Sequence, residues 1–91
     1  MSAKIKIPGY LRDKTDGESI IDVTGNTLRE CLWALVHRHP GLKGEIVDGQ
    51  EILLLKWLIS INGKLVIASD VLSYPVTDGD VILLVPMVAG G

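Results

Sequence analysis

Residues 26–42 read NTLRECLWALVHRHPGL, and this stretch decides the fold because it is the clearest helix in the chain. Thr27 and Glu30 form a Thr-x-x-Glu capping box, in which hydroxyl and carboxylate each satisfy a free backbone N–H. Leu28, Cys31, Leu32, Leu35 and Val36 then recur at helical spacing on one face. His37 and Arg38 put positive charge in the last turn, where it suits the helix dipole. Pro40 stops the helix, because the residue before a proline is pushed out of the α region. The spacing predicts a helix over Leu28–His39.

On either side the pattern changes to that of strands. Upstream, Ala3–Ile7 alternates Ile5 and Ile7 against Lys4 and Lys6. Pro8-Gly9 ends it, Tyr10–Glu18 has loop chemistry, and Ser19–Val23 is a second, β-branched strand, so the two form a hairpin with a long loop. Downstream, Gly41–Gln50 is a connection with room for a short extra strand. Leu54–Ile61 puts Leu55, Trp57, Ile59 and Ile61 on one face and Leu58 on the other. Asn62-Gly63 and then Lys64–Ala68 complete a second hairpin, since both turn residues tolerate positive φ. Asp70–Tyr74 reads as a short turn or 3₁₀ segment, and Thr77–Asp80 as another turn. Val81–Val85 is five apolar residues, as expected of a strand buried on both faces, and Pro86 is expected to end its ladder. The order β, β, α, β, β, turn, β predicts an α+β fold of the β-grasp type, a mixed sheet of four to five strands with one main helix across one face. The first and last strands are then neighbours at the centre.

Composition sets the class. Ninety-one residues make one small domain, predicted as 1–85 with a flexible Gly-Gly tail over 86–91. With 47% hydrophobic and 22% charged residues, and a mean hydropathy of +0.35, the chain is too apolar to be disordered. Its apolar runs are far shorter than the roughly 20 residues that span a bilayer. A net charge of −2 argues against a nucleic-acid or anionic-membrane partner held by bulk charge. The single cysteine allows no intrachain disulfide, and the opening MSAKIKIPGY has no apolar signal-peptide stretch. A cytoplasmic location is expected.

The chemistry concentrates at the C-terminus. From Val81 to Gly91 there is no charged side chain, so the Gly91 carboxylate is the only charge there. Glycines without Cβ fit a channel too narrow for side chains. Met87, Val88 and Ala89 add apolar contact, and Pro86 stiffens the exit. A carboxylate is inert until activated, so a partner would have to convert it to an acyl-adenylate with ATP. The bland alternative is a frayed glycine tail.

The quoted helix, the Ile61-Asn62-Gly63-Lys64 turn and the ending Asp78-Gly79-Asp80-Val81 to Pro86-Met87-Val88-Ala89-Gly90-Gly91 resemble the ubiquitin-like sulfur carriers of the MoaD/ThiS family. The length and the Pro40-Gly41-Leu42 helix end look more like MoaD, the small subunit of molybdopterin synthase. The resemblance implies an E1-like partner of the MoeB/ThiF type that adenylates Gly91, and sulfur that displaces AMP to leave a thiocarboxylate. A large acceptor subunit of the MoaE type would then take that sulfur. The partners would hold the tail at Pro86, Met87, Val88, Ala89 and Gly90, with Val85 and Leu58 as surface contacts. The carrier would bind no cofactor and supply no catalytic side chains; ATP belongs to the activating partner. Carriers for thiamine, cysteine or tRNA thiolation share the ending, and a protein modifier or a plain interaction module are further alternatives.

Other residues have simpler readings. Cys31 lies on the apolar stripe and is expected in the core. His37 and His39 face different directions, with no third ligand near in sequence, so no metal is expected. Asp78 and Asp80 are expected to shape a turn. Trp33 falls off the stripe and is either covered by the Gly41–Gln50 connection, the reading preferred, or an exposed partner contact. Trp57 is expected in the core.

Overall fold

The computed structural model describes residues 2–49, 51–52, 57–66 and 71–86. The first strand, β1 (Ser2–Lys6), pairs antiparallel with β2 (Ile20–Thr24). Between them Gly9–Thr15 winds into 3₁₀ turns, not the open loop expected, and buries Leu11 and Thr15. The single α-helix among the described residues, α1 (Leu28–Arg38), follows, with His39 as its C-cap. A 3₁₀ turn at Pro40–Leu42 leads to a two-residue ribbon of β3 (Val47–Asp48) and β4 (Glu51–Ile52). Then come β5 (Trp57–Ile61), β6 (Lys64–Leu65), a 3₁₀ turn at Val71–Ser73 and β7 (Val81–Pro86). Leu54–Lys56, Ile67, Ala68 and Asp70, parts of expected elements, lie outside the described residues.

The main sheet has the order β2-β1-β7-β5-β6, with β1 and β7 parallel at its centre. This is the β-grasp arrangement. The inner residues Ala3, Ile5, Ile21, Val23, Trp57, Ile59, Ile61, Ile82 and Leu84 are buried with the apolar stripe of α1. Every residue of that stripe is buried, Cys31 among them.

Helix α1 is capped much as its sequence demands. The Thr27 hydroxyl accepts from Glu30 N at 3.3 Å. The Glu30 carboxylate reaches one residue further back than a standard capping box, accepting from Asn26 N at 2.7 Å. Gly25 lets the chain turn so closely into the helix. A Cβ there would stand 2.8 Å from Glu30 Cβ and 2.9 Å from Cys31 N.

The Asn62-Gly63 turn has positive φ at both residues, 54° and 82°, as a two-residue hairpin of this type requires. Asn62 also ties the hairpin to β7. Its Oδ1 accepts from Val81 N at 2.9 Å, and its Nδ2 donates to Asp80 Oδ1 at 2.8 Å. Asp80 Oδ2 accepts from Thr77 N at 2.9 Å, and Asp78 Oδ1 accepts from Ser2 N at 2.7 Å. Both aspartates shape the turn, as expected.

Two expectations about β7 are corrected. The strand is not buried on both faces: Ile82 and Leu84 are buried, but Leu83 and Val85 are exposed. The helix covers only one side of the sheet, so a central strand here has one wet face. The ladder also runs on through Pro86, which stands opposite Trp57. Proline lacks the N–H but keeps its carbonyl, which suits the last place on a strand.

Two outcomes follow. Gly25→Ala should destabilise the fold by about 1–3 kcal/mol, read by denaturant unfolding, because backbone or side chain must move to admit the methyl group. The second concerns pH. Hydrogen bonds from Thr77 N, then from Asn62, hold the Asp80 carboxyl below the usual carboxylate range. The unfolded chain then binds the proton more tightly, so this stabilisation is present at neutral pH and is lost as pH falls below about 4. Asp80→Asn should lower the melting temperature at pH 7 and narrow the difference from wild type in acid.

Candidate functional site

The site follows from where β7 ends and which face it leaves bare. Of the residues singled out in the tail, Met87, Val88, Ala89, Gly90 and Gly91 lie outside the described residues. Pro86 and Val85 are the last residues before them, in the middle strand of the sheet. Val85 faces Leu58 directly across the β5–β7 ladder, and the two are 36% and 38% exposed. Thus the structure brings together Leu58 and Val85, and does so beside the start of the tail.

The same face carries residues that the sequence reading missed. Directly opposed residues share a face of a sheet. The register therefore lays a row across all five strands: Leu65, Ser60, Leu83, Lys6, Ile20. Leu65, Leu83 and Ile20 are exposed large apolar side chains. Further from the tail the face turns polar, with Lys4 between Val81 and Asp22. Lys4 Nζ donates to Asp22 Oδ1 at 2.7 Å, which holds the Asp22 carboxyl below its ordinary range. Both are well exposed, so the pair adds little stability. The face is thus graded, polar at the start of β7 and apolar where β7 ends. Leu83 could have been found by applying strand alternation inside VILLV; the uniformly apolar run hid it.

The opposite side of the sheet is covered by α1 and the connection that follows it. Trp33 is half-buried and packs against the core edge, neither fully covered by the connection nor fully exposed. Two depressions flank it, one of about 400 Å³ bounded by Lys43, Gly44, Val47, Asp48 and Gly49, the other of about 240 Å³ bounded by Val36, His37, Pro40 and Lys43. Trp57 is in the core, and its indole N–H donates to Glu45 O at 3.0 Å, which fastens the connection to the sheet. His39 Nε2 lies 3.8 Å from Glu18 Oε2, and His37 is exposed. No cluster of three metal-ligating side chains occurs among the described residues. No helix among them is long and apolar enough to cross a membrane.

The Cys31 thiol is fully buried. Burial pushes it up, and the Glu30 charge adds to the rise. Both effects suppress the thiolate, the reactive form.

Comparison with known proteins places this geometry. The sequence model of the ThiS family matches residues 5–91. The chain is 29% identical over 93 residues to the sulfur carrier protein CysO of Mycobacterium tuberculosis, covering both chains fully. Among solved structures, it is similar to one of the Amycolatopsis orientalis BexX/CysO complex, with TM-score 0.82 and 31% identity over 98% of this chain and 99% of the other. It also resembles one of the complex of subunits 1 and 2 of the molybdopterin-converting factor from Helicobacter pylori, with TM-score 0.62 and 30% identity over the whole of both chains.

For the buried thiol, a rate is expected. Cys31 in the native protein should be alkylated at neutral pH roughly tenfold or more slowly than in the urea-unfolded chain, measured by mass spectrometry, because reaction needs local opening.

Proposed function

This chain belongs to the ThiS family, and from that premise we propose that it is a sulfur carrier whose reactive group is the Gly91 carboxylate. The observation that carries the reading is the path of β7. The central strand ends at Pro86, directly before Met87-Val88-Ala89-Gly90-Gly91 in the sequence, and beside its end lies the exposed apolar pair Leu58 and Val85. A partner can thus grip the sheet face and draw in a tail that is narrow and free of side-chain charge.

The chemistry then resides with partners. An E1-like enzyme of the ThiF or MoeB type binds ATP, and a Gly91 carboxylate oxygen attacks the α-phosphorus. Pyrophosphate leaves and an acyl-adenylate forms. A sulfur nucleophile next adds to the acyl carbon and expels AMP. With hydrosulfide as that nucleophile a proton is lost and a Gly91 thiocarboxylate remains, anionic at neutral pH and more nucleophilic than the carboxylate. With a persulfide, a second thiol must cleave the acyl disulfide first formed and leave as a disulfide with the donor. The carrier contributes binding and delivery. Cys31, buried and suppressed as a thiolate, is a core residue in this scheme and not a relay.

As acceptor we propose the large subunit of molybdopterin synthase, of the MoaE type, acting in the cytoplasm. The ending, the length and the likeness to the Helicobacter molybdopterin-converting factor support this. A second acceptor pathway, that of CysO-type carriers, is favoured by the higher TM-score to the Amycolatopsis CysO structure, 0.82 against 0.62.

Intact mass spectrometry tests the chemistry. After incubation with ATP, an E1-like enzyme and sulfide, the protein should gain the difference between one sulfur and one oxygen, located at Gly91. Appending one residue after Gly91, or deleting Gly91, should abolish the gain and leave the melting temperature unchanged. Sulfur loading of the extended protein would overturn the proposal. Mixing the loaded carrier with MoaE-type or CysO-pathway acceptors should discharge it on the true one alone.

A further inference from the structure

One charge on the exposed sheet face, Lys6, has no ion-pair partner among the described residues. Three ionisable residues stand there on β1 and β2: Lys4, Asp22 and Lys6. Lys4 and Asp22 are paired at 2.7 Å. Lys6 is exposed and makes no ion pair among the described residues. Its neighbours across the ladders are apolar, Leu83 on one side and Ile20 on the other.

We infer that the adenylating enzyme docks on this face and carries a carboxylate, set among apolar side chains, that meets Lys6. The inference rests on the sulfur-carrier reading and adds to it the chemistry of the partner's surface. Continuity with the tail gives the first argument. An enzyme that takes Gly91 into its active site meets Val85 and Leu58 first. Lys6 lies level with Leu83, three residues before Pro86, about 10 Å back along the strand. A typical interface covers about 800 Å² on each partner, a disc of roughly 16 Å radius, so contact centred on the end of β7 extends over Lys6.

Charge gives the second argument. Covering the face takes the Lys6 ammonium out of water, and an unpaired covered charge is strongly unfavourable. The carbon stem of the lysine can lie along Leu83, but the head group still needs an acceptor. The one acid on this face among the described residues, Asp22, is already held by Lys4. The partner must therefore bring the carboxylate. A plain apolar surface would grip Leu58, Val85 and Leu83 equally well but would leave Lys6 uncompensated, so Lys6 discriminates between partners.

The test is sulfur loading by a purified E1-like enzyme from the same organism, with ATP and sulfide. The KM for wild type, Lys6→Glu and Lys6→Met is read by intact mass at low and high salt, and thermal melting checks each fold. Reversal to Glu should raise KM roughly tenfold or more with kcat within about twofold, because like charges then face each other. Neutralisation to Met should raise KM by less and remove most of its salt dependence. If wild type is loaded and both variants keep its KM and its salt dependence, the inference is wrong and the sulfur-carrier reading stands. If wild type is not loaded, that reading falls and the inference falls with it.

Discussion

The parallel pairing of β1 with β7 is the constraint on which the rest depends. It brings residues from the two ends of the chain into one ladder, with Lys4, Ile5 and Lys6 opposite Val81, Ile82 and Leu83. Backbone bonds start that ladder, from Lys4 N to Asp80 O at 2.9 Å and from Gly79 N to Ser2 O at 2.9 Å. Parallel neighbours cannot be joined by a tight turn, so everything between them must form a crossover. Helix α1 lies in that crossover and covers one face of the sheet. Its apolar stripe and the inward residues of β1, β2, β5 and β7 make one core. The other face is left bare, and the chain leaves the sheet from its middle strand.

Placing the exit at the centre has a chemical consequence. A tail leaving an edge strand would have neighbours on one side only. Here β1 flanks β7 from Val81 to Leu83 and β5 flanks it from Ile82 to Pro86, so exposed sheet borders the start of the tail along β5 and lies just behind it along β1. Recognition and delivery are thereby joined, because one partner surface can read the sheet and receive the terminus. The polar end of the face, with Lys4, Asp22 and the Asn62–Asp80 turn, lies at the start of β7, and the apolar end at its finish. That grading orients whatever docks.

Much of this architecture was legible in the sequence because its signals are local. The helix wrote itself in a 3.6-residue period and a cap, and the second hairpin in Asn62-Gly63. What was illegible depends on pairing between distant segments. VILLV gave no alternation to read, because Leu83 and Val85 are apolar although they face outward. Lys6 looked like ordinary strand polarity until the register set it between Leu83 and Ile20. Similarly, the 3₁₀ turns at Gly9–Thr15 were masked by charged residues that stay on the surface while Leu11 and Thr15 turn inward. Leu58 was readable from parity alone, but its opposition to Val85 was not. The five tail residues were the most informative part of the sequence and lie outside the described structure.

The middle position of β7 also governs how the domain bears load. A pull on the C-terminus acts along β7, parallel to its length. The bonds to β1 on one side and to β5 on the other lie across that direction, so they are sheared together and do not unzip one by one. Pairing to β1 over Val81–Leu83 and to β5 over Ile82–Pro86 spreads the force between the two flanks. If the end is threaded into partners and withdrawn, as proposed, the domain is built, like a tang set in a handle, to be drawn by its tip without coming apart.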